Sequence, residues 1–101
     1  MELAVVRWEG RDRPAEAWIR ELLHGEGYAP FTWSDPPDAS YEAHAHDRDE
    51  SIWIVAGDIT FAAGGREFRL AAGDRLMLPK DTVHTARAGQ SGATYVVGQK
   101  I

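Results

Sequence analysis

His44-Ala45-His46-Asp47-Arg48-Asp49-Glu50-Ser51-Ile52-Trp53-Ile54-Val55-Ala56-Gly57 is the stretch on which the reading of this chain turns. Two imidazoles stand two residues apart, and on a strand that spacing puts both on one face, one pleat apart. Glu50 follows four residues after His46, and a tight bend in the polar Asp47-Arg48-Asp49 returns its carboxylate to the imidazoles. From Ser51 to Ala56 the chain is apolar on both faces, the mark of a buried strand. A third imidazole, His84, lies 34 residues beyond Glu50, just after the turn Pro79-Lys80-Asp81. It reaches the same point from a neighbouring strand if the sheet curls. Three neutral imidazoles and a carboxylate form a donor set for one divalent Fe, Mn, Ni, Cu or Zn ion. A six-coordinate ion there keeps two positions open, as catalysis requires.

Outward from this stretch the chain reads as short strands between turn residues. Leu3–Trp8 is an expected first strand, Pro30–Trp33 is extended, and Ser34–Asp38 is a loop because of Pro36-Pro37. Ser40–His46 is a strand. Gly57-Asp58 is read as a turn separating strands Ser51–Ala56 and Ile59–Ala63, and Gly64-Gly65 as a two-residue hairpin turn. Glu67–Leu70, Arg75–Leu78, Val83–Arg87 and Thr94–Gly98 complete the set. Turn signals every eight to ten residues indicate an antiparallel sandwich or barrel. The one helical pattern covers residues 14 to 23, with Ala15, Trp18, Ile19, Leu22 and Leu23 on one stripe, Pro14 in the first turn and Gly25 as the stop. His24, near its end, suits the helix dipole.

The stretch from His44 resembles the first cupin motif: His-x-His, three residues, Glu, six residues, Gly, here His44, His46, Glu50 and Gly57. The second cupin motif is matched by Gly73, Pro79, Asp81, His84 and Ala88. The two cover residues 38–57 and 73–88, and together they span residues 38 to 88, about half the chain. Three positions depart from the pattern: Asp38 and Asp81 stand where the family has glycine, and Ala88 where it has asparagine. None is a ligand, and Asp tolerates the left-handed conformation better than most residues, so Asp81 can still make its turn. The resemblance implies an all-β fold over residues 1–101: a cupin-type jelly-roll β-barrel of two antiparallel sheets with one short N-terminal helix. It further implies a metal on His44, His46, Glu50 and His84 near one mouth, and pairing as a homodimer.

Composition narrows the function classes. The 101 residues contain 44% hydrophobic and 27% charged residues, an ordinary globular balance. The net charge of −5, with no Lys/Arg cluster, argues against a nucleic-acid partner. No apolar run is long enough to span a bilayer, and Met1–Arg7 lacks the pattern of a signal peptide, so a cytoplasmic location is expected and no membrane partner. There is no cysteine, which excludes disulfides and thiolate metal sites.

Strand parity sends Glu42 inward with His44 and His46, at the barrel mouth, as a carboxylate able to accept a proton beside the metal. It also sends Ile52 and Ile54 inward with Glu50, and Trp53 and Val55 outward; Phe61, Leu76, Leu78 and Tyr95 are further walls. No arginine falls at an inward parity. A mainly apolar pocket around a polar metal centre suits a small, partly apolar molecule. The expected function is therefore a metal-dependent enzyme on a small organic molecule, dioxygenase-like or isomerase- or lyase-like. The alternatives are a module that binds a small ligand or metal without turnover, and a metal-free barrel. The last leaves four ligand-type side chains unpaired in a pocket, which is costly.

Overall fold

In the computed structural model, which describes residues 1–101, the element order is β1 (Ala4–Val6), α1 (Glu16–Gly25), β2 (Tyr28–Asp35), β3 (Ser40–His44), β4 (Glu50–Ala63), β5 (Arg66–Ala71), β6 (Arg75–Leu78) and β7 (His84–Lys100). All strand pairs are antiparallel. The register explains the two-layer build. The first half of β4 pairs with β6 and with the end of β7, from Glu50↔Gln99 to Ile54↔Tyr95; β1 and β2 extend this layer outward. The second half of β4 pairs with β5 and with the start of β7, from Ile59↔Ala88 to Ala63↔His84, and β3 flanks β7 there. Thus β4 and β7 each serve both layers. They bend where their mutual register slips, at Ala56 and again between Gly57 and Ile59.

The observed strands correct three sequence expectations, two of them at those bends. Gly57-Asp58 does not end a strand; Gly57, at φ +73°, marks a bulge through which β4 continues. Likewise the expected strands Val83–Arg87 and Thr94–Gly98 are not separate: from His84 onward both lie in one 17-residue strand, His84–Lys100. Bulges bend a strand and increase its twist without stopping its pairing. Ser34 and Asp35 belong to β2 and not to a loop, and Pro30 is tolerated inside β2 because β2 is an edge strand. The two aspartates at family glycine positions keep the glycine backbone: Asp38 and Asp81 have φ of 60° and 62°, the only non-glycine residues with positive φ.

Between the layers lies a core that includes Ile52, Ile54, Ile59, Phe61, Leu70, Leu76 and Leu78. A second core sits on the outer face of the first layer, where Ile19 and Leu23 of α1 cover Tyr28, Trp53 and Val96. Here Trp8, Trp18 and Trp53 meet edge to face, with ring centroids 5.7 to 6.4 Å apart. The helix runs two residues later than its expected span: Ala15 is the extended N-cap, so Pro14 precedes the first turn. No helix is long and apolar enough to cross a membrane.

Asp74 ties the chain after β1 to the β5–β6 turn. Its carboxylate accepts from the amides of Trp8 and Ala71 and from Arg7 Nη1, each at 3.0 Å. Burial works to raise its pKa, but these donors outweigh it and hold the carboxyl below its ordinary 3.8. The folded state therefore binds this proton less readily than the unfolded chain. The stabilisation is present above pH 3.8 and lost as pH falls through the lowered value. Asp74→Asn is expected to cost about 1–2 kcal/mol at pH 7 and to flatten the acid limb of a urea-denaturation series against pH.

Candidate metal centre

The centre forms where β3 ends, β4 begins and β7 begins. His44 and His84 are register partners across β3 and β7, so the sheet itself sets their rings side by side, 4.3 Å between centroids. His46 lies just beyond β3, its ring centroid 5.0 Å from that of His44 and 5.2 Å from that of His84. One ring nitrogen of each falls within 4.8 Å of the others, a group able to hold a metal ion.

Hydrogen bonds decide which nitrogens are free. His44 Nδ1 lies 2.7 Å from the Glu42 carbonyl and His84 Nδ1 lies 2.9 Å from the Thr82 carbonyl. A carbonyl only accepts, so both Nδ1 atoms carry the proton and both Nε2 atoms keep a lone pair. A carbonyl-anchored ring of this kind is the usual support for an imidazole ligand. His84 is also held neutral: burial pushes its pKa below 6.5, the Thr82 carbonyl opposes this, and His44 and His46 add to the lowering.

Glu50 opens β4, 3% exposed, with its Oε2 3.7 Å from His46 Nδ1. It stands beside the imidazole group and not within it. Its only hydrogen bond comes from Gln99 Nε2 at 3.3 Å. A buried carboxylate has room for about four such partners. With one weak donor, the carboxylate keeps acceptor capacity on the side of the three imidazoles, where a cation could take it up.

The chain is a cupin. The family model for the cupin domain matches residues 31–97, which covers both motifs and the strands between them. No curated protein matches the sequence. Among solved structures, this cupin is similar to a cupin superfamily protein of Desulfitobacterium hafniense DCB-2 at 16% identity, over 99% of this chain and 78% of that one, with a TM-score of 0.66. It is similar to KdgF of a Halomonas species at 23% identity, over 71% of this chain and 67% of that one, TM-score 0.62. A further similarity is to the DMSP lyase DddQ of Ruegeria pomeroyi DSS-3, at 25% identity over 74% of this chain but only 39% of that one, TM-score 0.68.

The cupin pocket over the histidines encloses about 180 Å³. Ile52, Phe61 and Tyr95 line it as parity suggested, whereas Leu76 and Leu78 belong to the core beneath. Glu42 is the exception among the expected site residues. Its side chain is exposed and does not line the pocket. The register slips between Tyr41 and His44, so parity counted back from His44 fails by one, and Tyr41 faces inward instead. Glu42 contributes its backbone carbonyl, not its carboxylate.

The β2 wall was not expected. Phe31 and Trp33 line the pocket, and Asp35, 7% exposed, lies behind them. Their period-two spacing was the available signal, hidden by reading Ser34–Asp38 as a loop. Asp35 Oδ1 accepts from Trp33 Nε1 at 2.9 Å and from the Tyr41 hydroxyl, and Oδ2 accepts from the Tyr95 hydroxyl at 2.6 Å.

Proposed function

We propose that this cupin is a metal-dependent enzyme acting on a small organic molecule, with one divalent transition ion held by His44, His46, His84 and Glu50. The observation that carries the reading is the pairing of three converging imidazoles, two with Nδ1 anchored on carbonyls, with a buried carboxylate that has one weak partner. The donor set, nitrogen and oxygen without sulfur, suits Fe, Mn, Ni, Cu or Zn. When bound, such an ion supplies a Lewis acid, and iron adds dioxygen chemistry. The chain's own part is to orient and enclose the substrate: apolar walls at Ile52, Phe61 and Val97 exclude water, which strengthens every polar interaction inside. Chemistry of the isomerase or lyase type fits best, because a lyase shares the fold at 25% identity.

The test is metal content followed by turnover. Protein made without metal supplementation or an affinity tag is expected to carry about one transition ion per chain by elemental analysis. The loaded protein is expected to convert at least one of a panel of small hydroxy, keto and unsaturated acids, followed by NMR, and the chelated protein none. Binding without product across the panel, under air and under nitrogen, contradicts the enzymatic reading in favour of a binding module.

Metal affinity is also expected to depend on pH. Protons compete for imidazole lone pairs, so affinity falls as pH drops through about 6.5. Burial already holds His84 below that value. Calorimetric titration with zinc at pH 5.5 and 7.5 checks the direction; equal affinity contradicts imidazole ligation.

A further inference from the structure

Asp35 gathers the polar groups of three neighbouring strands: Trp33 of β2, Tyr41 of β3 and Tyr95 of β7 all donate to it. The Tyr41 and Tyr95 hydroxyls each own one proton, and both go to the Asp35 carboxylate, which can only accept. The Trp33 N–H is divided between Asp35 and the Tyr41 oxygen, at 2.9 and 3.0 Å. Burial, and then the bond to Asp35, push both phenols above their ordinary pKa, so both keep their protons. Neither phenol has a proton left to donate; the Tyr41 oxygen already accepts from Trp33, and the Tyr95 oxygen keeps its lone pairs. No lysine, arginine, serine or threonine lines the pocket, and among its side chains only His46 and Gln99, at the metal end, keep an N–H free.

The geometry points to a substrate class: a molecule that meets the metal end through oxygen and carries an O–H or N–H donor, not a carboxylate or phosphate, at its far end. This rests on the metal reading above. A far-end anion would find no donor at Tyr41 or Tyr95 and would approach the buried charge of Asp35. A far-end hydroxyl or ammonium finds the Tyr95 oxygen, which Asp35 holds as an acceptor. The pocket limits size: about 180 Å³ compares with the roughly 150 Å³ that accommodates benzene. Asp35 touches no ligand itself; it is a positioning residue that fixes the polarity of the wall.

Four hydroxamates matched in chain length separate the possibilities, each gripping the metal by the same group: β-alanine hydroxamate (ammonium tip), 3-hydroxypropanohydroxamate (hydroxyl tip), butanohydroxamate (methyl tip) and succinate monohydroxamate (carboxylate tip). Binding is read from the visible spectrum of the cobalt(II)-loaded protein. The ammonium and hydroxyl probes are expected to bind about tenfold tighter than the methyl probe, the change one hydrogen bond makes, with the carboxylate probe weakest. Tyr95→Phe is expected to reduce that preference to about threefold or less, with the methyl probe unchanged. In Asp35→Asn the amide donates to one phenol, whose proton is freed for the cavity, and the carboxylate probe is expected to gain about tenfold. Should Asp35→Asn fail to fold, Tyr95→Phe still decides. Cobalt-loaded protein that binds all four probes alike, or the carboxylate probe best, overturns this inference and leaves the metal reading standing. Protein that takes up no cobalt, seen before any hydroxamate is added, overturns the metal reading and this inference with it.

Discussion

His46→Ala is expected to lower metal affinity at least about 100-fold and to abolish metal-dependent turnover, with little change in the fold of the metal-free protein. The magnitude follows from what is removed. Loss of a group that only supports a ligand costs about 10–100-fold, and His46 is proposed as a ligand itself. It is the best of the three imidazoles to remove, because its side chain is 35% exposed and lies beyond the end of β3, whereas His84 is 4% exposed and paired on both sides. Truncating His84 confounds lost metal with a cavity. The metal-loaded wild type should also outlast the variant on heating, by at least about 2.3 kcal/mol at an ion concentration 100 times the wild-type Kd. A competition titration against a chromophoric chelator, with circular dichroism to check the fold, measures both. Wild-type metal content in His46→Ala would remove that residue from the site.

Gly57→Ala is expected to be the most destabilising single substitution named here, at about 2–5 kcal/mol. Two costs add. Gly57 has a φ of +73°, where a side chain costs about 1–2 kcal/mol. A Cβ there would also lie 2.1 Å from the Gly92 carbonyl oxygen, a backbone atom that yields only if β7 moves. Overpacking of that kind costs about 1–3 kcal/mol, and β4 and β7 hold both layers together at this crossing. For a domain of this size the sum implies a Tm lower by at least about 8 °C. Thermal unfolding of metal-free protein measures it, so that ligand loss does not contribute. A loss below about 1 kcal/mol would mean that the two bulges do not meet as closely as the register requires.

Gly57 also shows why the fold was only partly legible in the sequence. A glycine followed by aspartate carries the same local signal whether the chain reverses or merely bulges. The distinction lies in β7, which pairs with both halves of β4 and is remote in sequence. Local reading therefore broke β4 and β7 at their bends while placing most of the strand residues correctly. Motif spacing carried further than local reading in bringing side chains together: His44, His46 and His84 converge with Glu50 beside them, because they sit at fixed distances from turns that the sequence does declare. Asp38 and Asp81 kept those turns in left-handed backbone despite the lost glycines. Parity failed where it was extended past a bulge, turning Glu42 out and Tyr41 in. The Asp35 network was invisible for a different reason: a carboxylate next to two prolines reads as a solvated turn until β2 is seen to pair through Asp35 with Ala93.

X-ray absorption at the edge of the bound ion puts the most direct question to this chain. Three imidazole nitrogens at about 2.0–2.1 Å and one carboxylate oxygen at about 2.0–2.2 Å are expected, with the oxygen lost or lengthened in Glu50→Gln. A spectrum without imidazole scattering, or one that Glu50→Gln leaves unchanged, would show that the ion, if any, is held elsewhere or by fewer of these four side chains.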